Sequence, residues 1–155
     1  MKNMYGHLSK GILLGVLCLT SCSNPARSEQ EPPMNRYKAV FTSIPQEVPT
    51  IKTPDAPLAG NGDIGITMGG APDSLCFYIG KNDFWRAYPV YPGGIALPGG
   101  LSISSKSLQG AGYYAEQLPG SAEIKGRFTK EDLQVELSAW VAATHNHVVI
   151  ELTAN

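Results

Sequence analysis

Two adjoining runs, Leu133–Val141 (LQVELSAWV) and residues 147–153 (HVVIELT), restrict the fold more than any other feature. In the first, Leu133, Val135, Leu137, Ala139 and Val141 fall on one face. In the second, Val148, Ile150 and Leu152 share a face, with His147, Val149, Glu151 and Thr153 opposite. A repeat of two is the side-chain period of an extended strand and does not fit the 3.6 of a helix. One apolar and one more polar face is the pattern of antiparallel strands packed against a core on one side. Asp132 breaks the pattern before Leu133, and ATHN at residues 143–146 can reverse the chain, so the two runs predict a hairpin.

The rest of the chain after residue 60 is consistent with this. Residues 64–68, 75–79, 113–118 and 123–129 are short strand-like runs, and Leu101 and Ile103 alternate with serines. GGAPDS lies between the first two runs and PGSA between the last two, both rich in residues that reverse a backbone. The segment from Arg36 to Pro57 carries Pro45, Pro49, Pro54 and Pro57 and reads as extended rather than helical. No amphipathic stretch of ten residues follows Cys22, and most of the 17 glycines and 12 prolines fall between the apolar runs. The expected class is all-β, an antiparallel β-sandwich of roughly seven strands. The last strand leaves its outer edge unaccounted for, which suggests a larger sandwich of which this is one part.

The N-terminal segment is read apart from the fold. Lys2 and Lys10 precede the apolar run ILLGVLCLTSC at residues 12–22. That run is shorter than the roughly 20 residues a spanning helix requires and matches the apolar region of a secretory signal. Its end, Leu19-Thr20-Ser21-Cys22, resembles the bacterial lipobox, in which the Cys becomes the lipid-carrying first residue. Ser23, rather than Asp, then points to the outer membrane. The expected organisation is a signal peptide over 1–21, a polar tether over 22–35 (SNPARSEQEPP within it) and a sandwich over 36–155. Removing residues 1–21 takes two lysines, leaving 12 − 2 = 10 basic against 13 acidic side chains, a charge of −3. Such a mild balance offers no electrostatic footprint for nucleic acid. Cys18 leaves with the signal and Cys22 carries lipid, so Cys76 has no partner for an intramolecular disulfide and is expected to pack as a small buried apolar residue.

The stretch LAGNGDIGITMGG, residues 58–70, contains Gly60, Gly62 and Gly65 in a G-x-G-x-x-G spacing. A dinucleotide loop needs a strand before it and a helix after it, because the helix N-terminus holds the pyrophosphate. Prolines precede this one and a strand pattern follows, so that reading fails, and no Gly-Lys-Ser/Thr of a phosphate loop is present. His145 and His147 flank Asn146 with no third metal ligand evident, and read as a solvated turn pair. No nucleophile elbow supports a catalytic triad. Neither a metal nor another cofactor is expected.

What remains is a polar and aromatic set. Asn61 and Asp63 lie in a glycine-rich turn, and Asn82, Asp83 and Trp85 follow the apolar run LCFYI. Amides and carboxylates hydrogen-bond sugar hydroxyls, and aromatic faces pack on the C–H face of a pyranose. These five residues are the expected substrate-binding set, converging on one rim. The competing reading is that Asn61, Asp63, Asn82 and Asp83 only turn the chain while Phe84 and Trp85 cap the core.

The same residues carry a resemblance. PLAGNGDIGITMGGAPDSLCFYIGKNDFW, residues 57–85, is similar to the start of the N-terminal β-sandwich of glycoside hydrolases related to families 65 and 95. Those proteins open with a Pro-Leu-Gly-Asn-Gly-like turn, a strand ending in Gly-Gly, and an apolar strand leading to an Asn-Asp/Glu-aromatic segment. AEQLPGSAEIKGRF (115–128) and VELSAWVAATHNHVVIEL (135–152) resemble later strands of that sandwich, and the likeness runs from about Thr53 to Asn155. Ala59 departs from it, since many relatives have Gly after the Leu. The resemblance implies an α-L-fucosidase-like or related exo-glycosidase whose sandwich packs on an (α/α)6 barrel. The acid and base of glycosidic cleavage lie in that barrel. No catalytic residue is therefore expected in this chain, which would line part of the sugar site. The expected partners are a glycan, a membrane through the lipid on Cys22, and a C-terminal catalytic domain. The expected location is the bacterial cell envelope, at the outer membrane. A stand-alone carbohydrate-binding lipoprotein and a non-functional truncated product are the alternatives.

Overall fold

The computed structural model describes residues 33–50, 52–86 and 94–155. The signal peptide, Cys22 and most of the tether lie outside the described residues. Among those described there is no α-helix. Eleven strands are present: β1 (Ala39–Phe41), β2 (Leu58–Gly60), β3 (Ile64–Gly69), β4 (Ser74–Lys81), β5 (Trp85–Arg86), β6 (Gly94–Ile95), β7 (Gly99–Ser104), β8 (Gly112–Leu118), β9 (Glu123–Lys130), β10 (Leu133–Val141) and β11 (Val148–Ala154). They form a five-stranded sheet in the order β1-β8-β9-β10-β11 and a four-stranded sheet in the order β2-β3-β4-β7. A ribbon of β5 and β6 stands beside them, and all pairings are antiparallel. The chain is an all-β sandwich.

Period-two alternation decides which side chains meet between the sheets. Leu137, Ala139 and Val141 of β10 are buried, with Leu133 and Val135 half-buried on the same face. Directly opposite, Ile150 pairs with Ala139 and Val148 with Val141, so each apolar residue of β11 sits against one of β10. Leu152 shares that face but is 44% exposed, because β11 is the outermost strand of its sheet. Across the gap, Ile66 and Met68 of β3 and Leu75 and Phe77 of β4 complete one core with Tyr113, Ala115, Ile124 and Phe128. Phe77 and Phe128 are fully buried, each worth about 1.5–3 kcal/mol of apolar transfer. The Phe128 ring lies over Gly126, where a Cβ would sit 3.0 Å from the ring tip and 3.3 Å from the Leu137 Cβ. Tyr113 is buried among these residues and its hydroxyl has no hydrogen-bond partner among the described residues. Burial, with a smaller contribution from Asp55, pushes its phenol up to about 12.

Cys76 departs from the expectation of core burial. On β4, Leu75 and Phe77 point inward, so Cys76 between them points out. It is half-buried on the outer face, its Sγ 3.3 Å from the Ser102 Oγ. The described residues of the prolyl segment before β2 are irregular apart from β1, and Asp55 holds them, its carboxylate accepting the backbone N–H groups of Gln46 (2.7 Å) and Glu47 (2.9 Å). A short 3-10 turn at Pro33–Arg36 precedes β1, and Gly120 of the β8–β9 connection is backed onto Asn35 with no room for a side chain.

Candidate functional site

The rim is built from three chain reversals at one end of the sandwich. The first joins β2 to β3. Gly60 closes it, because a Cβ there would lie 2.7 Å from the Ile64 carbonyl oxygen, and Gly62 takes the left-handed backbone (φ 93°) that disfavours other residues. Between them the Asn61 side-chain oxygen accepts the backbone N–H of Asp63 (3.0 Å) and of Ile64 (2.9 Å), an Asx-turn that shapes the loop. The second follows β4, where the Phe84 N–H donates to the Lys81 carbonyl and puts Asn82 and Asp83 at the corner. The third is the β10–β11 connection. The Ala142 N–H donates to the His147 carbonyl at 2.9 Å, narrowing it to the ATHN tip foreseen from the sequence.

These three reversals are tied together. The Asn82 backbone N–H donates to the Asp63 carbonyl (2.9 Å) and its side-chain amide to the Gly62 carbonyl (2.9 Å). The Asn61 amide crosses between the sheets and donates to the Ala142 carbonyl at 2.9 Å, with longer approaches of 3.4 Å to the His145 carbonyl and the Asn146 side chain. Asn146 donates to the Asp63 carboxylate at 2.6 Å. Lys81 lies between two carboxylates, 3.0 Å from Asp63 and 2.5 Å from Asp83. Lys81, then Asn146, hold the Asp63 carboxyl below its ordinary value, while Asp83 and then Asp63 raise the Lys81 ammonium.

All five residues singled out in the sequence therefore gather on one rim, with different work. Both functional atoms of the Asn61 amide are engaged inside the protein, so its place is that of a clamp between the sheets. Both Asp63 oxygens are engaged as well. Asn82 and Asp83 are exposed turn residues. Trp85 does not cap the core. It is 63% exposed beside Phe84 at 49%, its ring held by an indole N–H donated to the Asn82 carbonyl at 2.8 Å and its backbone paired with Ile95. Lys81 and Asn146 complete the network and were not among the expected binding residues. Lys81 was visible in the sequence only as the neighbour of Asn82 and Asp83, and the turn that folds it back onto Asp83 was not.

His145 and His147 stack at the tip with ring centroids 5.7 Å apart, and Thr144 contacts the His145 Nδ1 at 2.8 Å. Among the described residues, no three His, Cys, Asp or Glu side chains come together as a metal-ligand set. The arrangement offers an exposed, hydrogen-bonded indole beside carboxylate and amide oxygens. No protein-family model matches the chain, and no curated protein matches it in sequence.

Proposed function

We propose that this chain is a glycan-facing β-sandwich module of a lipid-anchored, extracytoplasmic glycoside hydrolase. Its rim would line part of a sugar site whose catalytic groups lie in an adjoining helical barrel. The observation that carries the reading is the exposed Trp85, its ring fixed by the bond to the Asn82 carbonyl and set beside the open Asp83 carboxylate. An indole left 63% exposed buries little surface for the fold, and its bonded orientation suits a ligand with an apolar face. Sugars combine such a face with hydroxyl donors that carboxylate and amide oxygens accept. The likeness of residues 57–85 to the opening of family 65- and 95-related sandwiches supports the same reading, and the lipobox-like Leu19–Cys22 supports the envelope location.

The test is titration of the purified protein with fuco-, galacto- and xylo-oligosaccharides, followed by protein NMR. A module that supplies part of a site binds at about millimolar affinity. Trp85→Ala is expected to abolish the shifts while leaving the urea midpoint in place. Absence of binding at tens of millimolar for every sugar, or unchanged binding by Trp85→Ala, would overturn the reading.

A further inference from the structure

Among the described residues the two main sheets end on β1, β2, β7 and β11, and the first three edges are blunted. β1 and β2 run only three residues each, behind Lys38 and Pro57, and β7 opens on Gly99-Gly100 behind Pro98. Short length, glycine, proline and lysine all discourage a further strand from adding. β11 differs. It is seven residues long, contains no Gly, Pro or basic residue, and among the described residues pairs with β10 alone. Its free side can be assigned residue by residue. The Ala142 N–H donates to the His147 carbonyl and the Asn155 N–H to the Gln134 carbonyl, and both pairs continue the β10–β11 register. Alternate residues of a strand direct their backbone groups to opposite sides. His147, Val149, Glu151 and Thr153 therefore bond to β10, while Val148, Ile150, Leu152 and Ala154 turn N–H and C=O to the open edge. Val148, Ile150 and Leu152 are also the residues whose side chains face the core, and Leu152 is left exposed.

We propose that this edge pairs with the β11 edge of a second copy, about a two-fold axis centred on Ile150, joining two five-stranded sheets into one. The inference stands apart from the glycan-facing reading. An antiparallel pair about a two-fold axis sets one residue opposite its own counterpart, and charge decides which. Centred on Glu151, the two carboxylates would face each other across a non-hydrogen-bonded pair, with Cα atoms about 4.5 Å apart, a destabilising like-charge contact. Centred on Ile150, each Glu151 faces Val149 of the other copy. Ile150 then exchanges both backbone bonds with its counterpart, and Val148 does so with Leu152 of the other copy. The exposed Leu152 is covered by an apolar neighbour directly opposite. Two paired strands bury less than the roughly 1,600 Å² of a standard interface, so the dissociation constant is expected at about 0.1 mM.

The experiment compares the purified protein at about 20 µM and about 1 mM, by sedimentation and by amide exchange followed with NMR. A monomer–dimer equilibrium is expected, with exchange at Val148, Ile150 and Leu152 about fourfold slower at the higher concentration, the change in free monomer that a constant of about 0.1 mM gives. Val149, Glu151 and Thr153, already bonded to β10, should not change. Leu152→Pro removes one outward N–H and no bond to β10, and Leu152→Lys sets a charge against Val148 of the other copy, so each should abolish the concentration dependence. The exchange pattern of the unaltered protein carries the conclusion if either variant fails to fold. A protein that stays monomeric at about 1 mM would overturn the inference and leave the edge to a strand of a different chain. Slowing at other amides with none at these three would overturn it, as would a folded Leu152→Pro that dimerises like the parent. Ala154 slowed as much as Val148 would overturn the Ile150-centred register, because only the Glu151-centred one places Ala154 opposite Val148. Assemblies that grow beyond the dimer would overturn the two-fold closure, since that contact consumes the edge.

Discussion

Replacing Asn61 separates the two tasks of its amide. Its oxygen holds the β2–β3 turn through two backbone N–H groups at 3.0 and 2.9 Å, and its nitrogen ties that turn to the Ala142 carbonyl at 2.9 Å. Each bond is worth about 0.5–1.5 kcal/mol net, and a half-exposed position lets water recover part of it, so Asn61→Ala should cost about 2 kcal/mol. Asn61→Asp keeps the turn-forming oxygen but sets a second oxygen against the Ala142 carbonyl and a second charge near Asp63. It should lose the link between the sheets while keeping the turn, at a cost similar to alanine's. For a domain whose total stability is of order 5–15 kcal/mol, such a loss is readily measured. Urea unfolding followed by tryptophan fluorescence reads it as a midpoint lowered by about 1 M at unchanged slope. Midpoints for both variants within about 0.2 M of the unaltered protein would refute the clamp. An Asn61→Asp protein as stable as the parent while Asn61→Ala falls would confine the amide's work to the turn.

Tyr113→Phe should raise stability by about 1 kcal/mol, since it removes a buried hydroxyl that has no partner among the described residues; a lowered urea midpoint would count against this. Burial holds the same phenol protonated up to about 12, so its ionisation costs the fold nothing below the ordinary value near 10 and lowers stability as pH rises from there toward about 12; absorbance titration should show it ionising only with alkaline unfolding. Asp63, Asp55 and Glu116 are all held below their ordinary values, by Lys81, by the Gln46 backbone and by Lys38 respectively. Depressed carboxyls stabilise above their unfolded values and lose that contribution as pH falls through the folded ones, so the thermal midpoint should drop below about pH 4, less steeply in Asp63→Asn. Cells expressing Cys22→Ala should incorporate no fatty-acid analogue into this protein, whereas equal labelling of both forms would sink the lipid anchor.

The long strands were legible because a half-buried sheet writes a period of two into the chain, and β9, β10 and β11 each run seven residues or more. The short ones were not. β2, β5 and β6 are two or three residues long, too brief for any period, and exist through pairing with neighbours. Cys76 was misplaced because LCFYI is apolar throughout, so nothing in it distinguishes the inward from the outward face. The rim residues Asn61, Asp63, Asn82, Asp83 and Trp85 were visible as types, but not their division of labour. A turn asparagine that also crosses to the opposite sheet looks the same in sequence as one that does not, because its partner lies in a distant turn.

That distance has a kinetic consequence. Asn61 and Ala142 are 81 positions apart, and the bond between them forms only after both hairpins exist and the two sheets have docked. Contacts that close so long a stretch of chain bring their reward late, after the entropy of closure has been met. The clamp therefore belongs to the descent from the transition state, and its removal should accelerate unfolding by most of the factor of about 30 that 2 kcal/mol represents, while the rate of folding hardly changes. In this reading, Asn61 governs how long the two sheets stay closed once they have met, and so the lifetime of the surface that carries Trp85.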